Sequence, residues 1–230
     1  MATAITIAIA YLGQSCFLLE TPQCKILIDP YGPKVGYAEK PLAADIVLVS
    51  HEHFDHNYVQ MAEGKPVVLR GLKDNGADWN NVNYQDKGVK ITTIPVYHDK
   101  NKGAERGKNA MFLIETNGLR ILHTGDLGHV LTADQIKAAG RVDMLLICVG
   151  GFYTIDAKEA QTSVSQLKPR VVIPMHFKTG AVSLPISDNS AFLNGYKDVR
   201  TSDNWRAEFP LDLAAFPKDQ TTIFVMPYRK

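Results

Sequence analysis

From Ser50 to Asn57 the sequence reads Ser-His-Glu-His-Phe-Asp-His-Asn. Three imidazoles, His51, His53 and His56, and the Asp55 carboxylate fall within six residues. Ring nitrogen and carboxylate oxygen are the donor set of Zn2+, and they also serve Mn2+ or Fe. The stretch follows a β-branched apolar run, residues 45–50, that reads as a buried parallel strand, so the donors begin where a strand ends. In an extended chain alternate residues point the same way. His51, His53 and Asp55 therefore lean toward one point, while His56, at the entry of an expected helix, turns elsewhere. One tetrahedral ion cannot use four side chains from so tight a turn, and the spacing suits two divalent ions, the second taking Asp55 and His56.

The pattern His51-x-His53-x-Asp55-His56 resembles the signature of the metallo-β-lactamase superfamily of metal-dependent hydrolases. Tyr11-Leu-Gly-Gln-Ser15, Gly107-Lys-Asn, Gly125-Asp-Leu-Gly-His129 and Met175-His176-Phe177 carry the likeness along most of the chain. The resemblance implies an α/β fold, an αββα sandwich of two mixed β-sheets flanked by helices, with a mono- or dinuclear site on the edge between the sheets. It also implies a lone His downstream, then an Asp after Gly at a strand end, then a last His. His98, Asp126 and His176 stand in that order. By the same likeness Asp126 bridges the ions, and Asp29 supports the ligands from behind, although Asp29-Pro30 reads equally well as a turn starter. His51, His53 and His98 then form a three-histidine site with one position open for water, as in catalytic zinc. Asp55, His56 and His176 hold the other ion. The chain is similar to a compact branch that includes the ascorbate-6-phosphate lactonase group, from which no substrate can be carried over.

Other residues near these donors bear on the substrate. His129 follows Asp126 by three on a Gly-containing turn expected to face the pocket, which makes it a candidate to support a ligand or carry a proton, beside Asp55 as the catalytic carboxylate. Lys178 follows His176 by two and could offer its cation to a substrate carboxylate or phosphate, or lie on the solvated surface. Tyr153 ends Gly150-Gly151-Phe152-Tyr153, where paired glycines permit either close backbone approach to a ligand or a tight turn; it is taken as a substrate contact. Residues 100–109 carry four Lys or Arg, as a solvated loop or as a mobile rim that meets an anion. His123 reads as structural.

Elements must position these groups. A β-meander is expected over residues 5–10, 15–20 and 24–29, then a Gly- and Pro-bearing loop at 33–41 that could rim the pocket. After the 45–50 strand come a short helix at 57–63, a strand at 66–70, and an irregular polar stretch at 71–87 anchored by Trp79. A strand at 88–95 delivers His98. Asn117-Gly118 closes a hairpin of residues 110–116 and 119–124, where the second sheet is expected to start. Thr132 and Gln135 form a capping box for a helix ending at Gly140, and Asp156 with Glu159 caps another that stops at Pro169. Strands at 143–149 and 170–174 flank that second helix. The 179–220 segment reads as loops wrapping the site, with a weak helix at 189–199, and a last strand at 221–226 is expected to pair with the N-terminal meander.

The chain has 230 residues, enough for one domain, 1–230, with a substantial core. Net charge of +1 and the absence of basic runs exclude a charge-driven nucleic-acid surface. Cys16, Cys24 and Cys148 match no C-x-x-C spacing and read as reduced core thiols. The apolar N-terminus lacks a basic region, and no stretch reaches the length of a membrane span, so a cytoplasmic protein without a membrane partner is expected; self-association stays open. A hydroxide held between two divalent ions attacks a carbonyl carbon or phosphorus, so the expected activity is hydrolysis of a small anionic ester, lactone or phosphate-bearing substrate. A nucleotide phosphodiesterase on the same site and a non-catalytic metal-binding protein are the alternatives.

Overall fold

The computed structural model describes residues 6–230, so Ile5 of the first expected strand lies outside them. Alternation builds the first sheet. Along Thr6–Gly13, Cys16–Glu20, Lys25–Ile28 and Ile46–Val49, the side chains Ile7, Ile9, Tyr11, Phe17, Leu19, Ile26, Ile28, Ile46 and Leu48 face one core. The intervening Ala10, Leu12, Cys16, Leu18, Leu27, Val47 and Val49 face another. Six strands run in the order Arg206–Pro210, Thr6–Gly13, Cys16–Glu20, Lys25–Ile28, Ile46–Val49, Val67–Arg70. The last two joins are parallel.

The second sheet has eight strands in the order Asn83–Asp86, Val89–Tyr97, Lys108–Thr116, Leu119–His123, Met144–Cys148, Val171–Met175, Thr222–Val225, Val199–Thr201. It is antiparallel through Leu119–His123 and parallel beyond it. The larger core fills the space between the sheets. Helix Ala133–Ala139 packs on Val89–Tyr97 and helix Ala157–Leu167 on Met144–Cys148, both started by the expected capping boxes. The two mixed sheets and this helical layer make the α/β sandwich. No helix among the described residues is long and apolar enough to cross a membrane.

Several elements differ from expectation. Thr222–Val225 does not join the N-terminal meander; it lies parallel to Val171–Met175, with Thr222 and Ile223 fully buried. The partner of Thr6–Gly13 is Arg206–Pro210, which buries Phe209 while Arg206 reaches Glu20. Glu208 and Pro210 disguise that strand, and both are tolerated because it is an edge. The second sheet begins at Asn83–Asp86, inside the stretch expected to be irregular, which also holds the Leu72–Lys73 and Asp78–Trp79 pair. Trp79 anchors it, its Nε1–H donating to the carbonyls of Val96 and Asn109.

Residues 57–63 form only a 3-10 turn, Val59–Met61, and the short strand Ala62–Glu63. Tyr58 offers no side-chain cap, and its N–H goes to the Pro30 carbonyl instead. The helix at 189–199 shrinks to Ser190–Leu193 before the chain re-enters the sheet as Val199–Thr201. The 33–41 loop is not a pocket rim. Val35 and Tyr37, with Tyr31 before the loop, cover the outer face of the six-stranded sheet, and Tyr37 Oη lies 3.0 Å from Thr179 Oγ1.

Candidate metal centre

Every expected ligand follows the C-terminal end of a strand. His51, His53, Asp55 and His56 leave Ile46–Val49 of one sheet, whereas His98, Asp126 and His176 leave Val89–Tyr97, Leu119–His123 and Val171–Met175 of the other. Local bonds shape each exit. The His56 N–H donates to the His53 carbonyl and Asn57 Nδ2 to the Glu52 carbonyl, winding the motif into a tight turn. His176 adopts φ 51° and Asp29 φ 46°, left-handed conformations of the kind held where the surroundings over-determine them. The Gly13-Gln14 hairpin tip wedges in beside them, its Gln14 carbonyl taking the His176 N–H at 2.8 Å.

The donors converge as two groups. His51, His53 and His98 each offer an atom within 4.8 Å of the others, and so do Asp55, His56, Asp126 and His176. Asp126 stands between the groups, its Oδ2 3.3 Å from Nε2 of His56, His98 and His176 alike. Asp29 also lies close to His51 and His56, but its oxygens are committed. Oδ1 accepts the Ser50 N–H at 2.8 Å, and Oδ2 faces Ser50 Oγ at 2.6 Å and His56 Nδ1 at 2.9 Å.

These bonds set the tautomers. His56 donates Nδ1–H to Asp29, which directs Nε2 at Asp126 and Asp55, where a proton or a metal ion can sit. The Ser50 hydroxyl spends its one hydrogen on Asp29 and so accepts from His51 Nδ1, 2.9 Å away; this frees His51 Nε2, which lies 3.1 Å from His53 Nδ1. The support is uneven, because no hydrogen-bond partner among the described residues meets the buried Nδ1 of His98 or His176.

The electrostatics call for a cation. Burial, reinforced by neighbouring imidazoles, keeps His51 and His53 below the ordinary imidazole pKa, hence neutral and ready to ligate. Burial opposes charge on His56 and His176 too, yet Asp126 overrides it and holds both above the ordinary value. Burial likewise favours neutral carboxylic acids, but the imidazoles pull Asp126 well down and Asp55 to about 2. No hydrogen-bond donor among the described residues meets the buried His56 Nε2, which faces two carboxylate oxygens. Lone pairs so opposed are relieved by a proton or a metal ion, and an all-nitrogen and oxygen set of this kind fits two divalent ions.

A cavity of about 500 Å3 opens over both groups, with His53, Asp55, His98, Asp126 and His176 in its floor and Phe54, Tyr153 and Leu184 among its walls. Tyr153 thus lies where expected. His129 and Lys178 do not. The Tyr97 N–H donates to His129 Nε2 at 3.2 Å and His129 Nδ1 donates to the Val130 carbonyl, so both ring nitrogens are spent pinning a turn. Lys178 Nζ donates to the Leu184 carbonyl at 2.7 Å, tying down the 178–187 loop and leaving the cavity without its charge. His123 is structural as expected, bonded to the Ser15 carbonyl and the Gly125 N–H. Gly150 approaches the backbone of His176, where a Cβ would overlap the carbonyl, so the first of the paired glycines seats the strand end that bears His176.

Sequence reasoning gave no role to Gln14, Ser15, Ser50 or Arg106. Gln14 Nε2 donates to Asp55 Oδ2 at 2.9 Å, and Ser15 Oγ lies 3.4 Å from Asp126 Oδ1. The signal for the first two was the Tyr11-to-Ser15 stretch, which carried the resemblance without a stated function.

The matched family model is the Beta-lactamase superfamily domain, over residues 8–176. A UPF0173 metal-dependent hydrolase of Anaeromyxobacter sp. (strain K) is 32% identical over 226 residues, 84% of this chain and 82% of that protein. Another from Thermococcus onnurineus is 31% identical over 192 residues, 75% of this chain and 85% of that protein. A crystal structure from Thermotoga maritima, assigned as a Zn-dependent hydrolase of the metallo-β-lactamase superfamily, superposes with a TM-score of 0.76 at 31% identity, covering 97% of this chain and 100% of its own. The likeness to ascorbate-6-phosphate lactonases stays a reading of the sequence. Sandwich, strand-end ligands and family match agree, and the chain belongs to the metallo-β-lactamase superfamily of metal-dependent hydrolases.

Proposed function

We propose that the chain hydrolyses a small ester, lactone or phosphate-bearing substrate with two divalent ions, one on His51, His53 and His98 and one on Asp55, His56 and His176, with Asp126 shared. The observation that carries this reading is the pair of donor groups meeting at Asp126 in the floor of one open cavity. Zn2+, Mn2+ or Fe bound there would supply Lewis acidity and make water a nucleophile near neutral pH.

The chain's own residues do the rest. Asp55 lines the cavity, and Gln14 fixes one of its oxygens. Held by Gln14 within the second donor group, it would orient the attacking water. Ser15 steadies Asp126, and Phe54, Tyr153 and Leu184 exclude solvent from the substrate. The three free, buried cysteines suit a reducing compartment, and we place the protein in the cytoplasm on that basis.

The test is a panel of lactones, aryl esters and phosphodiesters assayed on chelator-stripped protein with Zn2+ and Mn2+ restored separately. Metal-dependent turnover of an ester or lactone, lost in Asp55→Ala, is the expected result. Turnover of phosphodiesters alone would move the substrate class to nucleotides. Two bound ions with no turnover of any class would make the protein a metal-binding module.

A further inference from the structure

Most of the polar groups around the cavity are already committed. The imidazoles, Asp55 and Asp126 belong to the donor groups, and Glu52 is tied to Arg70 at 2.7 Å. Phe54, Tyr153, Leu184 and the Glu105–Arg106 pair remain. Arg106 is the one Lys or Arg among the lining residues.

Its position is fixed by a device in the sequence just after a ligand. Asp99, next to His98 and only 4% exposed, accepts the backbone N–H groups of Asn101, Gly103, Glu105 and Arg106 at 2.8 to 3.0 Å. One carboxylate thereby closes the whole loop, and the Gly107 carbonyl accepts the His98 N–H at 3.0 Å where the loop returns. The segment that read as a solvated loop or a mobile rim is a fastened one.

The guanidinium lies over the Tyr153 ring, 5.7 Å from its centroid. Tyr153 is held in turn by Gly151 and Phe152 at φ 67° and 61°, with its N–H on the Gly151 carbonyl at 2.7 Å. A left-handed aromatic residue is costly and persists where the site over-determines it.

Arg106, Tyr153 and Glu105 also line a second cavity of about 490 Å3, beside Lys100 and Phe152, so they form the wall between two chambers. Among the described residues Arg106 makes one side-chain hydrogen bond, at 3.2 Å to Glu105, its own neighbour, which is half exposed. An exposed pair of that kind contributes little, and most of the five guanidinium N–H donors are uncommitted.

We propose that Arg106 determines substrate specificity by receiving a carboxylate or phosphate carried beyond the scissile bond, with the apolar middle of the substrate between Phe54 and the Tyr153 ring. The inference rests on the hydrolase reading above. The substrate class is an acid bearing a ring-sized apolar segment and a hydrolysable ester at its far end. Arg106 takes the role that the sequence offered to Lys178.

The probes are the acetate esters 4-acetoxybenzoate and its neutral amide 4-acetoxybenzamide, close in size and alike in the bond to be cleaved, with benzoate as a non-hydrolysable anion. In metal-loaded protein, Arg106→Ala should lower the ratio of kcat/KM for the charged over the neutral ester by about ten-fold or more, chiefly through KM, and raise the benzoate Kd by a similar factor. Arg106→Lys should retain part of both effects, since it keeps the charge without the planar fork. Metal content should match the parent in both variants.

A ratio and a benzoate Kd that change by less than about two-fold in Arg106→Ala would overturn the proposal, because the metals alone would then hold the anion. So would loss of metal, which would place Arg106 in the upkeep of the centre. If neither ester is cleaved while benzoate binding still depends on Arg106, ester hydrolysis fails and the anion site stands.

Discussion

Asp29 carries more of the centre than its place behind the ligands suggests. One carboxylate holds His56 directly and reaches His51 through the Ser50 hydroxyl, so it fixes a ring in each donor group. Outer partners of this type typically change metal affinity by about ten- to a hundred-fold. Asp29→Asn should therefore weaken both ions by about that much, whereas Ser50→Ala should weaken mainly the three-histidine ion. Stepwise metal titration of the two variants separates the cases, and equal affinity in Asp29→Asn and the parent would remove Asp29 from this role. At this scale the cluster of donors was legible because His and Asp at strand ends are few and their order is informative. Arg106 was not, since four cations share its loop and only the folded Asp99 knot selects the one that faces the cavity. Lys178 and His129 misled for the same reason: spacing from a ligand does not say which way a side chain points once backbone carbonyls compete for it.

The elements that carry ligands meet through glycines. Gly125 stands against Asn109 and Ser50, and Gly128 donates its N–H to the Tyr97 carbonyl. A Cβ on Gly128 would overlap the backbone of His98 and Asp99, which cannot yield without moving a ligand and the Arg106 loop together. Gly128→Ala should thus cost about 1–3 kcal/mol in urea denaturation and deplete the three-histidine ion. Full metal content with parental stability in that variant would show that the contact relaxes harmlessly. Strands with continuous β-branched runs, such as Ile46–Val49 and Val171–Met175, were legible in sequence, as was the Asn117-Gly118 turn with φ 47° and 85°. Thr222–Val225 was expected beside the N-terminal meander and Arg206–Pro210 within a looped segment; both runs are too short for their pattern to name a partner. The 57–63 helix failed for want of a cap.

The whole molecule is two sheets closed at one edge by the metal centre, and the donors are divided between them. His51, His53, Asp55 and His56 come from the six-stranded sheet, and His98, Asp126 and His176 from the eight-stranded one, so each proposed ion draws ligands from both. Ions that bind only the folded chain stabilise it by mass action, about 2.7 kcal/mol each at a hundred times Kd. Removing both with a chelator should lower Tm by about 10–20 °C for a chain of this size. The size of the effect should depend on pH in a definite direction. Asp126 holds His56 and His176 above the ordinary imidazole value, so in metal-free protein they keep protons that an ion must displace. His51 and His53 lie below it and need no such exchange. Metal affinity therefore falls as pH drops through the raised values, and the difference in Tm between loaded and stripped protein should grow as pH rises from the ordinary imidazole value of 6.5 toward them. Thermal scans of both forms across that range decide the matter. A difference that is flat with pH would mean that no proton leaves His56 or His176 on loading. A Tm that does not move on chelation would mean that the ions do not join the sheets.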